Sequence, residues 1–356
     1  MTNTIAIFGL LVVLMAIGMP VGVALGLTVL SFMFIFTDVP LESVALKMFT
    51  GIEKFEIMAI PFFILAGNFL THGGVARRMI NFATAMVGHL RGGLGMSAVL
   101  ACALFAAVSG SSPATVVAIG SILIPAMVKQ GYPLRFGAGV VASAGGLGIL
   151  IPPSIVMVMY SVTTNSSVGA LFMAGVIPGL LLAFMLGLCT WYVARKNNYP
   201  TLPVVSWAER IKHFRKAFWG LMLIVVVMGG IYSGMFTPTE AAAMSAVYAF
   251  FIAVFVYKDL TFKQIPRVLL DSANMSAMLL FIIASAVLFS FILTSEQIPQ
   301  RMADAIVASG MGPIGFLIVV NILLLVAGAL MEPSSIILIL APILFPVAVA
   351  LGIDPI

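Results

Sequence analysis

A cluster of small polar residues, Ser109-Gly110-Ser111-Ser112-Pro113-Ala114-Thr115, lies inside a long apolar run. Apolar segments of about 15 residues, 94–108 and 115–129, flank this cluster, and each is shorter than the roughly 20 residues that a spanning helix needs. Two short helices joined in this way are typical of a re-entrant hairpin, which enters and leaves the membrane on one side. Non-helical backbone at membrane depth persists only where it is buried in protein or lines a cavity. The cluster, called the first tip, therefore predicts a binding site.

The first tip provides ligands for a cation and for an anion. The hydroxyl groups of Ser109 and Ser112 and the unwound carbonyls are oxygen ligands, which suit a hard monovalent ion such as Na⁺. The helix predicted at 115–129 begins beside them, and its free N–H groups and dipole favour a negatively charged group. A cation and a carboxylate are therefore expected side by side.

A second interruption of the apolar pattern, residues 145–154, is called the break and is expected to face the first tip. Its Pro152 and Pro153 have no N–H group, which frees carbonyls upstream of them, including those of Gly145 and Gly148. These carbonyls are further candidate ligands for a cation. An alternative interpretation of the first tip and the break is that their small residues simply allow helices to pack closely.

A second tip, residues 331–334, separates the apolar segments 314–330 and 335–350. It contains Glu332, the one carboxylate that we place at membrane depth, where acidic residues are costly and usually functional. Glu332 could bind a cation, carry a proton or pair with a basic group; alternatively, it reaches water at the tip or has a structural partner. Thr164 ends the broken span and is a candidate substrate contact, although the start of a polar loop accounts for it equally well.

The composition is that of an integral membrane protein. Hydrophobic residues make up 62% of the chain and charged residues 8%, whereas a soluble domain carries about 25% charged residues. The net charge of +5 is better explained by cytoplasmic loops than by a nucleic-acid surface. The 3 histidines lie in loops without ligand spacing, and no Walker or His-Glu-x-x-His motif is present, so we expect no catalytic residues and no transition-metal site. The N-terminus has no basic n-region, so we expect no cleaved signal peptide.

Apolar segments separated by glycine, proline and charged residues predict an all-α polytopic membrane protein. Residues 5–36 are too long for one span, and Pro20 divides them into two. Residues 37–56 form a polar segment. The other predicted elements are spans at 57–71, 169–193, 218–234, 239–257 and 276–293, an amphipathic helix at 75–88, re-entrant hairpins at 94–130 and 314–350, and a broken helix at 136–160.

Charged loops predict one orientation. The basic segments 72–93, 129–135, 195–216 and 258–267 all lie in the cytoplasm, and the slightly acidic segment 37–56 lies outside. This assignment requires that the first hairpin is re-entrant and that the N-terminal apolar run crosses the membrane twice.

Short sequence matches recur at a nearly constant offset and indicate an internal repeat. The matched positions include Pro20 with Pro238, 63–67 with 281–285, Arg78 with Arg301, and 122–125 with 343–346. On the predicted topology the two copies run in opposite directions, as in many secondary transporters, and the two tips should meet near the midplane. No counterpart of the break follows the second hairpin, so we expect that roughly 60–70 C-terminal residues are missing from this chain.

With these residues in view, the chain resembles the large membrane subunit of tripartite ATP-independent periplasmic (TRAP) transporters, most closely the C4-dicarboxylate branch. The resemblance covers essentially all 356 residues. It is carried by Ser109-Gly-Ser-Ser-Pro-Ala-Thr115, Leu147-Gly-Ile-Leu-Ile-Pro-Pro-Ser154, Gly230-Ile-Tyr-Ser-Gly-Met-Phe-Thr-Pro-Thr-Glu240 and Met331-Glu-Pro-Ser-Ser335.

The resemblance implies an elevator-type, Na⁺-coupled importer in the bacterial inner membrane, with a smaller four-helix membrane subunit and a periplasmic substrate-binding protein as partners. It implies sodium ligands at Ser109, Ser112, Gly145, Gly148 and Pro152, and a second sodium site at Gly328, Glu332 and Ser334. Candidates for substrate contact are the other small and polar residues of the first tip and the break, together with Thr164: Ser111, Pro113, Thr115, Gly146, Pro153, Ser154 and Thr164.

The predicted function is Na⁺-driven import of a small carboxylate such as succinate, malate or fumarate. Alternatives are import of sialic acid or another organic acid, and a stand-alone symporter that needs no binding protein. A membrane enzyme or a channel is disfavoured, because catalytic motifs are absent and the hairpins are repeated. Segments 1–56 and 194–257 are expected to form a scaffold, against which 57–193 and 258–356 move as a transport domain.

Overall fold

A computed structural model describes residues 2–37, 40, 42–308, 310 and 312–356. Within these residues every regular element is helical. The α-helices are α1 (Thr2–Ala16), α2 (Val21–Phe36), α3 (Glu42–Ile52), α4 (Ala59–His72), α5 (Val75–Val87), α6 (Gly93–Ser109), α7 (Ser112–Lys129), α8 (Leu134–Gly145), α9 (Leu147–Leu150), α10 (Ile155–Thr164), α11 (Val168–Lys196), α12 (Trp207–Tyr232), α13 (Pro238–Phe251), α14 (Ile265–Ser295), α15 (Ile298–Ala308), α16 (Pro313–Leu330) and α17 (Pro333–Ala350). Short 3₁₀ helices lie at Phe55–Met58 and Phe262–Gln264, and a π-helical segment lies at Ile252–Val256.

The described part of the chain contains 7 helices that are long and apolar enough to cross a membrane, by length and composition. An eighth span results if the pair Leu134–Leu150 and Ile155–Thr164, bent by 45°, is counted as one broken helix. The prediction of an all-α, multi-span protein with a broken helix in this region is confirmed.

The arms of the two hairpins are longer than the sequence pattern predicts. Helix α6 has 17 residues and α7 has 18, because helical structure extends into the polar residues at the first tip. Helix α17 also has 18 residues, so α7 and α17 are each long enough to cross a membrane. The re-entrant course of both hairpins therefore stays a prediction.

Contacts divide the chain into two compact units. One comprises Met1–Ile57, Met159–Ser167 and Met275–Ile356, and the other comprises Met58–Val158 and Val168–Asn274. The first tip and the break belong to the second of these units, and the second tip belongs to the first. These units do not coincide with the predicted scaffold and transport segments. That functional division concerns which segments move, and it stays a prediction.

The helices themselves repeat along the chain. Helix α6 begins at Gly93 and α16 at Pro313, an offset of 220 residues, and α7 begins at Ser112 and α17 at Pro333, an offset of 221. The pattern includes the preceding helices, because the amphipathic α5 comes directly before α6 and α15 comes directly before α16. The offsets agree with those of the sequence matches, so the repeat extends to the order and length of the elements.

Several boundaries differ from the prediction. Helix α3 forms within the polar segment 37–56, and α15 forms in a mixed-charge segment, although no helix was predicted in either place. Helix α12 begins at Trp207, about ten residues before the predicted span, and α14 begins at Ile265. Hydropathy identifies only the apolar part of a helix, whereas charged and polar residues continue it into water.

Candidate functional site

The first tip is a tight connection between two helices. Helix α6 ends at Ser109 and α7 begins at Ser112, so that only Gly110 and Ser111 are outside a helix. Gly110 has φ +60°, in the left-handed region that favours glycine. Its carbonyl accepts a hydrogen bond from Ile155 N at 3.2 Å, at the first residue of α10. The first tip is therefore bonded directly to the far side of the break.

Glycines allow the first tip and the break to approach each other closely. A Cβ atom on Gly148 would lie 2.8 Å from the carbonyl carbon and oxygen of Ser111 and from Ser112 N. A Cβ atom on Gly145 would lie 2.1 Å from a methyl group of Val116. The structure thus brings together the first tip and the glycines that were predicted to face it. Whether they bind sodium stays a prediction.

Hydroxyl groups hold the first tip in shape. Thr115 Oγ1 donates to the Ser111 carbonyl at 2.8 Å, and Ser109 Oγ lies 3.0 Å from Thr115 Oγ1. Because the Thr115 hydrogen is used on Ser111, Ser109 is the donor to Thr115. A hydroxyl that has donated its hydrogen keeps oxygen lone pairs, which can still coordinate a cation. Ser109 and Thr115 are buried, and Ser111 caps α7 by accepting from Ala114 N at 3.5 Å.

The break is narrower than predicted. Gly145 ends α8, Gly146 is a single turn residue, and α9 continues the helix to Leu150. Apart from that one turn residue, regular helix is lost only over residues 151–154, where the Pro152–Pro153 peptide bond is cis. The glycines are compatible with a helix, whereas each proline removes a donor that the helix requires.

Carbonyl groups at the end of α9 lose their helical hydrogen-bond donors because two prolines follow. Four residues after Gly148 and Ile149 stand Pro152 and Pro153, which have no N–H to offer. Ser154 Oγ donates to the Ile149 carbonyl at 2.8 Å and accepts from Met157 N at 3.4 Å. Ser154 is buried and acts as a local cap, so its hydroxyl is already used. The Gly148 carbonyl is the stronger candidate as an ion ligand.

The electrostatics of this junction come from dipoles. Neither the first tip nor residues 145–154 contain a charged side chain. The C-termini of α6 and α9 and the N-termini of α7 and α10 meet here. Helix C-termini favour a cation and N-termini favour an anion, so one junction offers both. Ser112 and Gly146 are half-buried and Pro113 is exposed, which leaves these predicted contacts open to a ligand.

The second tip belongs to the other unit. Met331 and Glu332 have extended backbone between α16 and α17. Ser334 is buried, and its Oγ donates to Glu332 Oε1 at 2.7 Å. Glu332 and Gly328 are exposed. The second tip therefore exposes a carboxylate, that of Glu332, which accepts a hydrogen bond from Ser334.

Thr164 lies in the unit that holds the second tip, at the end of α10. Its Oγ1 donates to the Tyr160 carbonyl at 2.8 Å and lies 2.9 Å from Ser166 Oγ. Lys54 covers the same helix end, because its Nζ donates to the Val162 carbonyl at 2.8 Å and to Asn165 Oδ1 at 2.6 Å. Thr164 is thus part of a capped helix end.

Two glycines important to the junction were missed by the sequence analysis. Gly110 provides the bond to α10, and a Cβ atom there would lie 2.7 Å from the Pro153 carbonyl oxygen. Gly67 on α4 packs against the first tip, where a Cβ atom would lie 3.3 Å from the Ser109 carbonyl oxygen. The signal for Gly110 was its place between two serines of the tip. The signal for Gly67 was its place in a repeated sequence, where Ser285 takes the equivalent position.

Taken together, these features define a class of protein. Helices long enough to span a membrane, a broken helix and a buried junction of oxygen ligands and helix ends are the construction of membrane transport proteins. Within the described residues no three His, Cys, Asp or Glu side chains come together as a metal centre.

Comparison with known proteins identifies the family. Residues 8–356 match the family described as "Tripartite ATP-independent periplasmic transporter, DctM component", and the chain belongs to this family. It is therefore a transporter permease and not an enzyme.

Similar proteins bear more specific names. The chain is 67% identical to the C4-dicarboxylate TRAP transporter large permease protein DctM of Rhodobacter capsulatus, over 99% of this chain and 84% of that protein. It is 57% identical to the protein of the same name in Pseudomonas aeruginosa, over 94% of this chain and 78% of that protein. The sialic acid TRAP transporter large permease protein SiaM of Vibrio cholerae is 39% identical, over 99% of this chain and 82% of that protein.

Proposed function

We propose that this permease imports a C4-dicarboxylate, such as succinate, malate or fumarate, across the bacterial inner membrane and that a Na⁺ gradient drives the import. The observation that carries the proposal is the junction of the first tip with the break. It offers cation ligands and anion-binding helix N-termini in one buried place. The substrate class is supported by the names of relatives at 67% and 57% identity, against 39% for the sialic acid permease.

The proposed sodium site uses oxygen atoms of the junction. Ser109 Oγ has donated its hydrogen to Thr115, and the Gly148 carbonyl faces a proline in place of a donor. Ser112 stands at the start of α7, and its side chain is half-buried. With the ion in place, its charge adds to the N-terminal dipoles of α7 and α10 and favours a carboxylate beside it. Binding of the ion and the substrate would then be mutually supporting.

The proposed partners are a small four-helix membrane subunit and a periplasmic protein that delivers the substrate. Transport is proposed to follow an elevator mechanism, in which one part of the permease moves against the other. The contact of Lys54 with the end of α10 joins a residue of the predicted scaffold to one of the predicted transport domain. Such a contact would form and break during each cycle of movement.

The direct test is succinate uptake into proteoliposomes that contain the full-length permease and its small partner. We expect uptake only with an inward Na⁺ gradient and with the binding protein present. Uptake without the binding protein would instead identify a stand-alone symporter. Uptake that is unchanged when K⁺ replaces Na⁺ would contradict the sodium coupling, and uptake of sialic acid but not succinate would contradict the substrate class.

Ser112→Ala is expected to raise the Na⁺ concentration for half-maximal uptake roughly fivefold, because losing one oxygen ligand costs about 1 kcal/mol. The measurement is a Na⁺ titration of initial uptake rates at saturating substrate. Ser121→Ala is the matched control, since Ser121 lies on an exposed face of the same helix. Identical titrations for the two variants would remove Ser112 from the site.

A further inference from the structure

A cavity of about 380 Å³ lies away from the junction, where α4 turns into α5 and passes α7. His72 and Gly74 at the turn, Arg77 on α5, Val117 and Ile122 on α7, and Asp259 are among the residues that line it. Gly74 has φ +69°, and a Cβ atom on it would overlap the Asp259 carboxylate. The turn is thus built to bring the ends of α4 and α5 against the segment that holds Asp259.

The positive charge of this cavity is available for a ligand. Asp259 forms an ion pair with Arg78, whose guanidinium also stacks 3.9 Å from the centre of the Tyr257 ring. Arg77 reaches Asp259 only at 3.4 Å, and its side chain stays 60% exposed. Since Arg78 satisfies most of the acidic charge, the guanidinium of Arg77 has donors to spare. A guanidinium presents a fork that matches the oxygen atoms of a phosphate.

His72 adds a second polar atom to the cavity. Its Nδ1 lies 2.9 Å from the Asn68 carbonyl and donates to it. In the neutral ring the other nitrogen, Nε2, then carries a lone pair and can accept a hydrogen bond from a hydroxyl group of a ligand, and the ring is exposed. Arg77 and His72 are therefore two polar residues in the lining of the cavity.

Helix α7 lines the cavity with Val117, Ala118, Ser121 and Ile122, of which Val117 and Ile122 are large apolar side chains. Val117 is 65% exposed and Ile122 is 38% exposed on the surface of α7. On the predicted orientation, 72–93, 129–135 and 258–267 are cytoplasmic. Ile122 is then seven residues from Lys129 at the cytoplasmic end of α7, a distance of about 10 Å along the helix. That depth corresponds to the boundary between lipid headgroups and acyl chains.

We propose that this cavity binds the headgroup of an anionic phospholipid of the cytoplasmic leaflet. The phosphate contacts Arg77, a hydroxyl group of the headgroup donates to His72 Nε2, and an acyl chain lies along Val117 and Ile122. Basic pockets between membrane helices on the cytoplasmic side bind anionic headgroups in this manner. A bound lipid would connect the α4–α5 turn to α7, which leads from the first tip. The site is independent of the proposed substrate, because it depends on the cavity and the orientation alone.

Native mass spectrometry of the purified full-length permease with its small partner tests this site. Dioctanoyl phosphatidylglycerol, dioctanoyl phosphatidylcholine and inorganic phosphate are titrated separately. We expect phosphatidylglycerol to bind more tightly than phosphatidylcholine and Arg77→Gln to weaken phosphatidylglycerol binding about tenfold, since a charge-assisted phosphate contact is lost. Arg91→Gln, the same change at an exposed arginine of the same predicted cytoplasmic segment, is expected to leave binding unchanged.

Three results would overturn the proposal. They are equal phosphatidylglycerol binding by the Arg77→Gln and Arg91→Gln variants, equal binding of the two lipids by the wild-type protein, and binding of inorganic phosphate as tight as that of phosphatidylglycerol. The last result would identify a site for a free oxyanion instead of a lipid. Arg77→Lys keeps the positive charge but lacks the forked guanidinium, and it should retain part of the binding. Partial binding by this variant would show that the loss in Arg77→Gln comes from the missing charge and not from misfolding.

Discussion

Gly148→Ala is expected to reduce substrate uptake at least about tenfold while the protein remains folded. The added methyl group would lie 2.8 Å from backbone atoms of Ser111 and Ser112, which cannot turn aside as a flexible side chain does. Extra atoms in a closely packed place cost about 1–3 kcal/mol, and here that strain separates the first tip from the break. The measurement is initial succinate uptake in proteoliposomes, with the amount of folded permease determined by size-exclusion chromatography.

Gly139→Ala provides the matched control. Gly139 is on α8, the helix that leads to the break, and nothing lies within 4 Å of a Cβ atom placed there. Its uptake should equal that of the wild type. Full uptake by Gly148→Ala would show that the close approach of the first tip and the break is not needed for transport, and it would remove the main support for the proposed site.

The position of the first tip could be predicted from the sequence because it depends on local chemistry. Gly110 allows a left-handed residue, Ser111 caps the next helix, and Pro152 and Pro153 stop α9 wherever the rest of the fold places them. The contact between the tip and the break is a longer-range feature. The family resemblance anticipates it, because it implies sodium ligands in both segments, whereas no local rule indicates which helix a glycine faces.

The roles of individual hydroxyl groups could not be predicted in this way. Ser109, Thr115 and Ser154 are all polar residues in apolar surroundings, and the sequence treats them alike. In the structure Ser154 Oγ bonds within the break, to the Ile149 carbonyl and Met157 N, whereas Ser109 Oγ bonds within the first tip, to Thr115 Oγ1 and Ser111 N. The difference depends on rotamers and on the position of neighbouring carbonyls, which follow from packing.

The early starts of α12 and α14 had a local signal that hydropathy overlooks. Ser206-Trp207-Ala208-Glu209 and Thr261-Phe262-Lys263-Gln264 match the capping-box pattern at helix starts. In the structure Ser206 Oγ accepts from Glu209 N at 3.3 Å, and Gln264 Oε1 accepts from Thr261 N at 3.0 Å. Caps therefore locate the start of α12 and the start of the 3₁₀ helix that leads into α14, whereas hydropathy locates only the part within the membrane.

Asp259→Asn is expected to destabilise the permease by about 2 kcal/mol. Removing one partner of a fully buried ion pair costs about 3–5 kcal/mol. The expected cost here is smaller, because the side chains of Arg78 and Asp259 stay 19% and 27% exposed to solvent. Arg78 would keep the Gly74 carbonyl at 3.0 Å and the Tyr257 ring but lose its counter-charge. The Tyr257 hydroxyl donates to the Lys216 carbonyl at 2.7 Å and offers no substitute for the Asp259 carboxylate.

Thermal unfolding of the purified protein in detergent measures this effect. Asp271→Asn, at an exposed carboxylate of α14, and Arg77→Gln, at the 60% exposed arginine, should each change stability by less than about 0.5 kcal/mol. A double variant, Arg78→Ala with Asp259→Asn, distinguishes a stranded charge from simple loss of packing. If the stranded guanidinium causes the loss, the double variant is no less stable than Asp259→Asn alone. Additive losses would mean that the two side chains stabilise the α5 region separately, through Tyr257 and Gly74, and that their ion pair contributes little.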